Sequence, residues 1–292
     1  MSRPPAFAPP PGAVAHALRT ERGDFAAISA GPQDAGHTGT ALLLPGFTGS
    51  KEDFIALHVP LAAAGYRTVA VDGRGQYEST GPLDDESPYA QRELARDVLA
   101  QAAVVDDGTP LHLVGHSLGG QIARAAVLVD ATPFTSLTLM SSGPAQISPS
   151  QQERVKLLRD ALAVLDMARV WDAIQALDAP EETDTPGAGA DDAAALRHRW
   201  LLNSPAQLIA TGRQLCTEPD LVDELAAVRL PKHVLSGERD DTWPVQLLDS
   251  MAVRLSARRT VVAGAEHSPN TDRPQETAAA LAAFWDLHPP VV

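Results

Sequence analysis

The hexapeptide Gly115-His116-Ser117-Leu118-Gly119-Gly120 follows the apolar run Leu111-His112-Leu113-Val114 and leads into a helical pattern over residues 121–129. A strand that turns sharply through a glycine-flanked serine into a helix pushes that hydroxyl out above a sheet as a nucleophile. Glycines two before and two after the serine let the backbone crowd together where a Cβ would clash. The bare G-x-S-x-G pattern also arises by chance, so its weight comes from the rest of the chain.

Working outward, short apolar runs alternate with longer segments of helical period. The runs cover residues 40–44, 68–71, 111–114, 137–140, 233–235 and 260–262. Such runs separated by helices are what a parallel sheet buried on both faces requires. Helices are expected over 52–64, 89–105, 121–129, 244–255 and about 273–287, the last with Pro274 in its first turn. Residues 14–18 and 25–28 flank Glu21-Arg22-Gly23-Asp24 and read as an antiparallel hairpin. Between 147 and 230 the rhythm breaks. Helical segments at 151–165, 168–177, 196–202 and 205–215 follow one another without a strand, and the acidic stretch 178–192 is expected as a mobile loop. Placed between two strands, this insertion reads as a cap over the strands' carboxyl ends. Its plainer reading is a separate helical lobe with no role in a site. The expected fold is α/β: a mostly parallel eight-stranded sheet flanked by helices, with a core of 1–146 and 231–292 and a helical cap of 147–230 after the sixth strand.

At 292 residues the chain is long enough for a substantial core, and 44% hydrophobic with 21% charged residues is ordinary for a globular protein. A net charge of −14 without a basic cluster argues against nucleic acid or an anionic membrane as partner. The single Cys216 rules out an internal disulfide, and no His or Cys set has metal-ligand spacing. Gly73-Arg74-Gly75 is not a phosphate-cradling fingerprint, so no cofactor is expected. Residues 1–12 are proline-rich without an apolar h-region and read as a disordered or extended arm, not a secretory signal. No apolar stretch approaches eighteen residues, so no membrane span is expected and the cytoplasm is the default compartment.

Four signatures carry a family resemblance. They are Leu44-Pro45-Gly46-Phe47-Thr48-Gly49-Ser50; Asp72-Gly73-Arg74-Gly75-Gln76-Tyr77-Glu78-Ser79; the stretch 115–119; and Gly237-Glu238-Arg239-Asp240 with Pro244, followed by Gly264-Ala265-Glu266-His267-Ser268. In their order the chain resembles the α/β-hydrolase fold superfamily from the hairpin to the last helix. The resemblance implies a nucleophile at Ser117, a base at His267 and an acid at Asp240. A serine hydroxyl is a poor nucleophile at neutral pH and needs a neighbouring base, which an imidazole supplies. A carboxylate behind the imidazole holds its tautomer and stabilises the imidazolium. The family geometry further implies the backbone N–H groups of Phe47 and Leu118 as oxyanion donors, helped by the positive end of the helix that Leu118 begins.

Each choice has a competitor. Of nine histidines, His112 lies inside the elbow strand, and the side chain of His116 is expected to point elsewhere than Ser117. Asp241 adjoins Asp240, and their side chains are expected to point apart. Ser141, Ser142 and Ser268 read as loop hydroxyls. Two positions depart from the family pattern. Pro45 stands where many relatives have a loop-ordering histidine, which bears on loop rigidity, not on hydrolysis itself. Tyr77 replaces the second glycine of the turn after the fourth strand; it either caps a pocket or, the plainer expectation, packs on the surface.

A serine at the elbow, where dehalogenases and epoxide hydrolases use aspartate, leaves esters, thioesters, lactones, some amides, acyl transfer and certain C–C cleavages. Phe47 and Leu118 below, with Trp171, Trp200 and Leu201 above and Trp243 beside the acid, are expected to wall an apolar pocket. Core packing is the alternative for each tryptophan. The expected activity is that of a cofactor-independent, carboxylesterase-like serine hydrolase acting on a small to medium apolar ester. A thioesterase or acyltransferase is the rival enzyme, and a non-catalytic small-molecule receptor is the rival from another class.

Overall fold

In the computed structural model, residues 3–32, 36–177 and 190–288 are described. The chain enters through β1 (Ala13–Thr20) and β2 (Gly23–Ala30), which pair antiparallel from Ala13↔Ala30 to Thr20↔Gly23. Six strands follow: β3 (Gly39–Leu44), β4 (Tyr66–Val71), β5 (Leu111–His116), β6 (Ser136–Met140), β7 (Lys232–Gly237) and β8 (Arg258–Val262). They form one sheet in the order β1-β2-β4-β3-β5-β6-β7-β8, antiparallel as far as β4 and parallel from there.

The period of two sorts the strand residues to opposite faces. Leu42, Leu44, Leu111, Leu113, Leu137 and Leu139 enter one core layer, and Ala41, Leu43, Val114 and Met140 enter the other. Helices α2 (Gln91–Val105), α3 (Leu118–Val129) and α9 (Val245–Arg254) cover the first layer. The second is covered by α1 (His58–Ala63), α11 (Pro274–Trp285) and the preceding 3-10 turn Lys51–Leu57. The expected helix over 52–64 is therefore split. Pro60 has no N–H to give the carbonyl of Ala56, so a continuous α-helix cannot close there.

Between β6 and β7 lie α4 (Pro149–Leu162), α5 (Met167–Leu177), α6 (Ala190–Leu202), α7 (Pro205–Thr217) and α8 (Val222–Ala227). Of the expected loop over 178–192, residues 178–189 lie outside the described residues, whereas residues 190–192 already belong to α6. A short α10 (Pro269–Asp272) precedes α11. Residues 3–12 form neither helix nor strand, and Phe7 among them sits edge-on to Tyr77 at 6.4 Å between ring centroids. Because β3, β5, β7 and β8 run parallel, their carboxyl ends gather at one rim, where ligands of open α/β sheets bind.

Candidate active site

Ser117 joins β5 directly to α3 with φ 55° and ψ −120°, a strained conformation for a residue with a Cβ. The elbow closes because Gly115 packs on the backbone of Gly119, and Gly119 on the carbonyls of Leu44 and Pro45, with no room for a Cβ at either. The N–H of Ser117 donates to the Met140 carbonyl at 2.9 Å, tying the elbow to the end of β6.

Beyond β8, His267 presents Nε2 to Ser117 Oγ at 3.0 Å. Its Nδ1 lies 3.0 Å from both carboxylate oxygens of Asp240, which follows β7 and is fully buried. Asp240 Oδ1 also accepts the backbone N–H groups of Thr242 at 2.8 Å and Trp243 at 3.1 Å, so the carboxylate is oriented from two sides. Asp241 points away and accepts the side-chain amide of Gln151 at 2.6 Å. His116 turns from Ser117 and donates from Nε2 to the His267 carbonyl at 2.9 Å. Burial, and secondly the neighbouring His267, push His116 down to about 4, so it bonds as a neutral ring.

Phe47 lines the cleft beside Ser117, and Leu118 follows the serine directly. Leu118 is the first residue of α3, where an N–H has no intrahelical acceptor. Gly46 lies so close to the elbow that a Cβ on it would stand 3.2 Å from Ser117 Cβ.

The cleft above Ser117 encloses about 170 Å³. Phe47, Ile147, Val155 and Leu215 supply its apolar wall, and Thr48, Gln151, Thr242 and Ser268 its polar one. The three tryptophans expected there do not line it. Trp171 and Trp200 pack on one another inside the helical insertion at 6.4 Å, and the Trp200 indole N–H donates to the Met167 carbonyl at 2.7 Å. Trp243 is wholly buried in the main core, its indole N–H on the Ala145 carbonyl at 2.9 Å. An indole combines a large apolar area with one donor, and both needs are met in packed interiors that offer a spare carbonyl. Leu201 packs against the same cluster, and the Leu118 side chain points into the sheet core. In place of the tryptophans, Ile147, Val155 of α4 and Leu215 of α7 join Phe47 in the wall. Its sequence signal was the i, i+4 pair Gln151 and Val155 on one helical stripe.

Gln76, Arg199 and Asn270 also went unread in the sequence. Arg199 of α6 reaches Asp53 Oδ1 at 2.8 Å and Ser50 Oγ at 3.3 Å. Asn270 Nδ2, just past His267, donates to the Asp53 carbonyl at 2.7 Å. These bonds hold the segment after β3 against both α6 and the histidine loop.

A family model described as "Alpha/beta hydrolase family" matches residues 41–280. The chain belongs to the alpha/beta hydrolase family. This alpha/beta hydrolase is 31% identical over 226 residues to a pimeloyl-[acyl-carrier protein] methyl ester esterase of Aeromonas hydrophila subsp. hydrophila, covering 75% of this chain and 84% of that protein. It is 28% identical over 193 residues to a 2-hydroxy-6-oxononadienedioate/2-hydroxy-6-oxononatrienedioate hydrolase of Paraburkholderia xenovorans, covering 64% of this chain and 65% of that protein. Among solved structures, a bacterial membrane phospholipase A described as a virulence factor matches with TM-score 0.73 at 25% identity, over 94% of this chain and 86% of that one. The protein is a hydrolase. Among its described residues no helix is long and apolar enough to cross a membrane, and no cluster of three or more His, Cys, Asp or Glu could hold a metal ion.

Proposed function

We propose that this hydrolase cleaves a carboxylic ester of a small to medium apolar substrate through an acyl-enzyme on Ser117. The observation that carries the reading is His267, bonded at 3.0 Å to Ser117 Oγ on one side and to the buried Asp240 carboxylate on the other. As Oγ attacks the acyl carbon, His267 Nε2 takes its proton and the carbonyl electron pair moves onto oxygen. The N–H groups of Phe47 and Leu118 stabilise that oxyanion. Collapse expels the alcohol, which leaves with the proton from the imidazolium. Water then repeats the sequence on the acyl-serine, with His267 again as base, releasing the acid and restoring Ser117. Asp240 keeps the reactive nitrogen of His267 facing the serine throughout.

In this reading residues 147–230 act as a cap on a core of 1–146 and 231–292, because α4 and α7 bring Val155 and Leu215 to the cleft. A cleft of about 170 Å³ lies below the roughly 300–1,000 Å³ of drug-sized ligand sites, which favours a short acyl group. The relative named as a methyl ester esterase supports the same bond type. The test is intact mass after exposure to a fluorophosphonate, together with turnover of p-nitrophenyl acetate and butyrate and of an acyl-CoA thioester. One adduct, absent from Ser117→Ala, with ester turnover above thioester turnover, is expected. Folded protein that gives neither adduct nor turnover overturns the reading, and a preference for the thioester replaces the esterase by a thioesterase.

A further inference from the structure

We propose that Gln76 sets the orientation of the oxyanion peptide, a positioning role that rests on the serine-hydrolase reading above. Gln76 is 5% exposed and lies in the turn after β4. Its Nε2 donates to the Gly46 carbonyl at 2.8 Å and more weakly to the Phe47 carbonyl at 3.3 Å. Its Oε1 accepts the Gly73 N–H at 3.0 Å. Two acceptors on one side and a donor on the other leave a single sensible assignment of the amide.

The Gly46 carbonyl and the Phe47 N–H are opposite edges of one planar trans peptide. Fixing the oxygen on Gln76 therefore fixes where that N–H points. Gly46 has no Cβ to resist rotation of this peptide, and Pro45 before it brings no N–H and no side-chain donor. Within the loop the Gly49 N–H reaches the same Gly46 carbonyl at 3.2 Å, and Gln76 adds the shorter bond, 2.8 Å, from outside it. The turn that carries Gln76 is itself closed, by Gln76 N–H on the Gly73 carbonyl at 2.9 Å and Ser79 N–H on the Gln76 carbonyl at 2.8 Å. A Cβ on Gly73 would stand 2.6 Å from Gln76 Oε1, so a bare glycine is what admits the amide. Donation to the Gly46 carbonyl also polarises the peptide and strengthens its N–H as a donor.

The test compares Gln76→Leu, which removes the donor, with Gln76→Glu, which sets an acceptor against two carbonyls. Both are assayed well below their own melting temperatures. The second-order rate of fluorophosphonate labelling and kcat for p-nitrophenyl butyrate are each expected to fall about 10²-fold, the scale of one lost oxyanion donor. KM is expected to stay within about twofold and the acid limb of the pH–rate profile to stay in place, since substrate wall and triad are untouched. A generally loosened site would move both. If either variant folds and keeps wild-type labelling and kcat, Gln76 does not set the peptide, while the Ser117 reading stands. If wild-type protein is not labelled at all, both fail together.

Discussion

Ser117 holds a left-handed φ of 55° that only a closed elbow can impose, and the glycines around it are the reason it closes. Substituting Gly119→Ala drives a Cβ into the carbonyls of Leu44 and Pro45, both backbone atoms that cannot swing aside. A loss of about 1–3 kcal/mol in urea unfolding is expected, on the scale of overpacking, together with slower serine labelling. Asp240→Asn is expected to lower kcat for p-nitrophenyl butyrate by about 10³–10⁴-fold with little change in melting temperature. The amide oxygen can still accept the Thr242 and Trp243 N–H groups, but the amide nitrogen facing His267 selects the wrong tautomer. An unchanged kcat would remove Asp240 from the site. At this scale Ser117, His267 and Asp240 could be singled out because each follows a strand within a short glycine-bearing stretch. Trp171, Trp200 and Trp243 were not legible, because an indole suits a cleft wall and a packed core equally well.

Among the elements, α6 is joined to the core by a wholly buried ion pair, Arg199 with Asp53 on the 3-10 turn Lys51–Leu57. Tyr77 stands beside that joint, with the Lys51 ammonium 4.6 Å from its ring centre and Phe7 and His198 edge-on. It takes φ 41° where the family pattern has glycine, so its contacts with arm, core and cap offset the backbone strain. Removing one partner of a buried pair leaves the other charge unpaired away from water. Arg199→Met is therefore expected to lower stability in urea by about 3–5 kcal/mol and to expose the cap to earlier proteolytic cutting. Wild-type stability in this variant would show that the pair does not hold the cap. The helices were readable from their periodicity, whereas the interruption at Pro60 and the docking of α6 were not. Docking depends on which buried charge meets which, across 146 positions of sequence.

Four histidines are buried as neutral rings. Burial pushes His58 and His116 down to about 4 and His112 and His233 to about 3. Unfolded, each titrates near about 6.5. Above that pH both states are neutral at these sites and stability is flat. Below it the unfolded chain binds protons that the folded chain refuses, so stability falls as pH drops from about 6.5 toward 3. Calorimetry is expected to show a melting temperature level from pH 8 to 7 and declining steadily from pH 6 to 4. Asp72, whose carboxyl burial pushes up, works the opposite way, and a melting temperature level down to pH 4 would show that the four rings do not outweigh it.

The sequence by itself determined the α/β class, the eight strands, the helical insertion after β6 and the candidate Ser117, His267 and Asp240. All of these follow from local rules: strand and helix periods, and glycines where a turn tolerates no side chain. Tertiary structure alone decided that Val155 and Leu215, not tryptophans, wall the cleft. It also decided that Gln76 grips the Gly46 peptide and that Arg199 meets Asp53. These pairings exist because the parallel strands end at a common rim against the helical insertion. Which side chains then meet there is set by packing across distant segments, which no local pattern records.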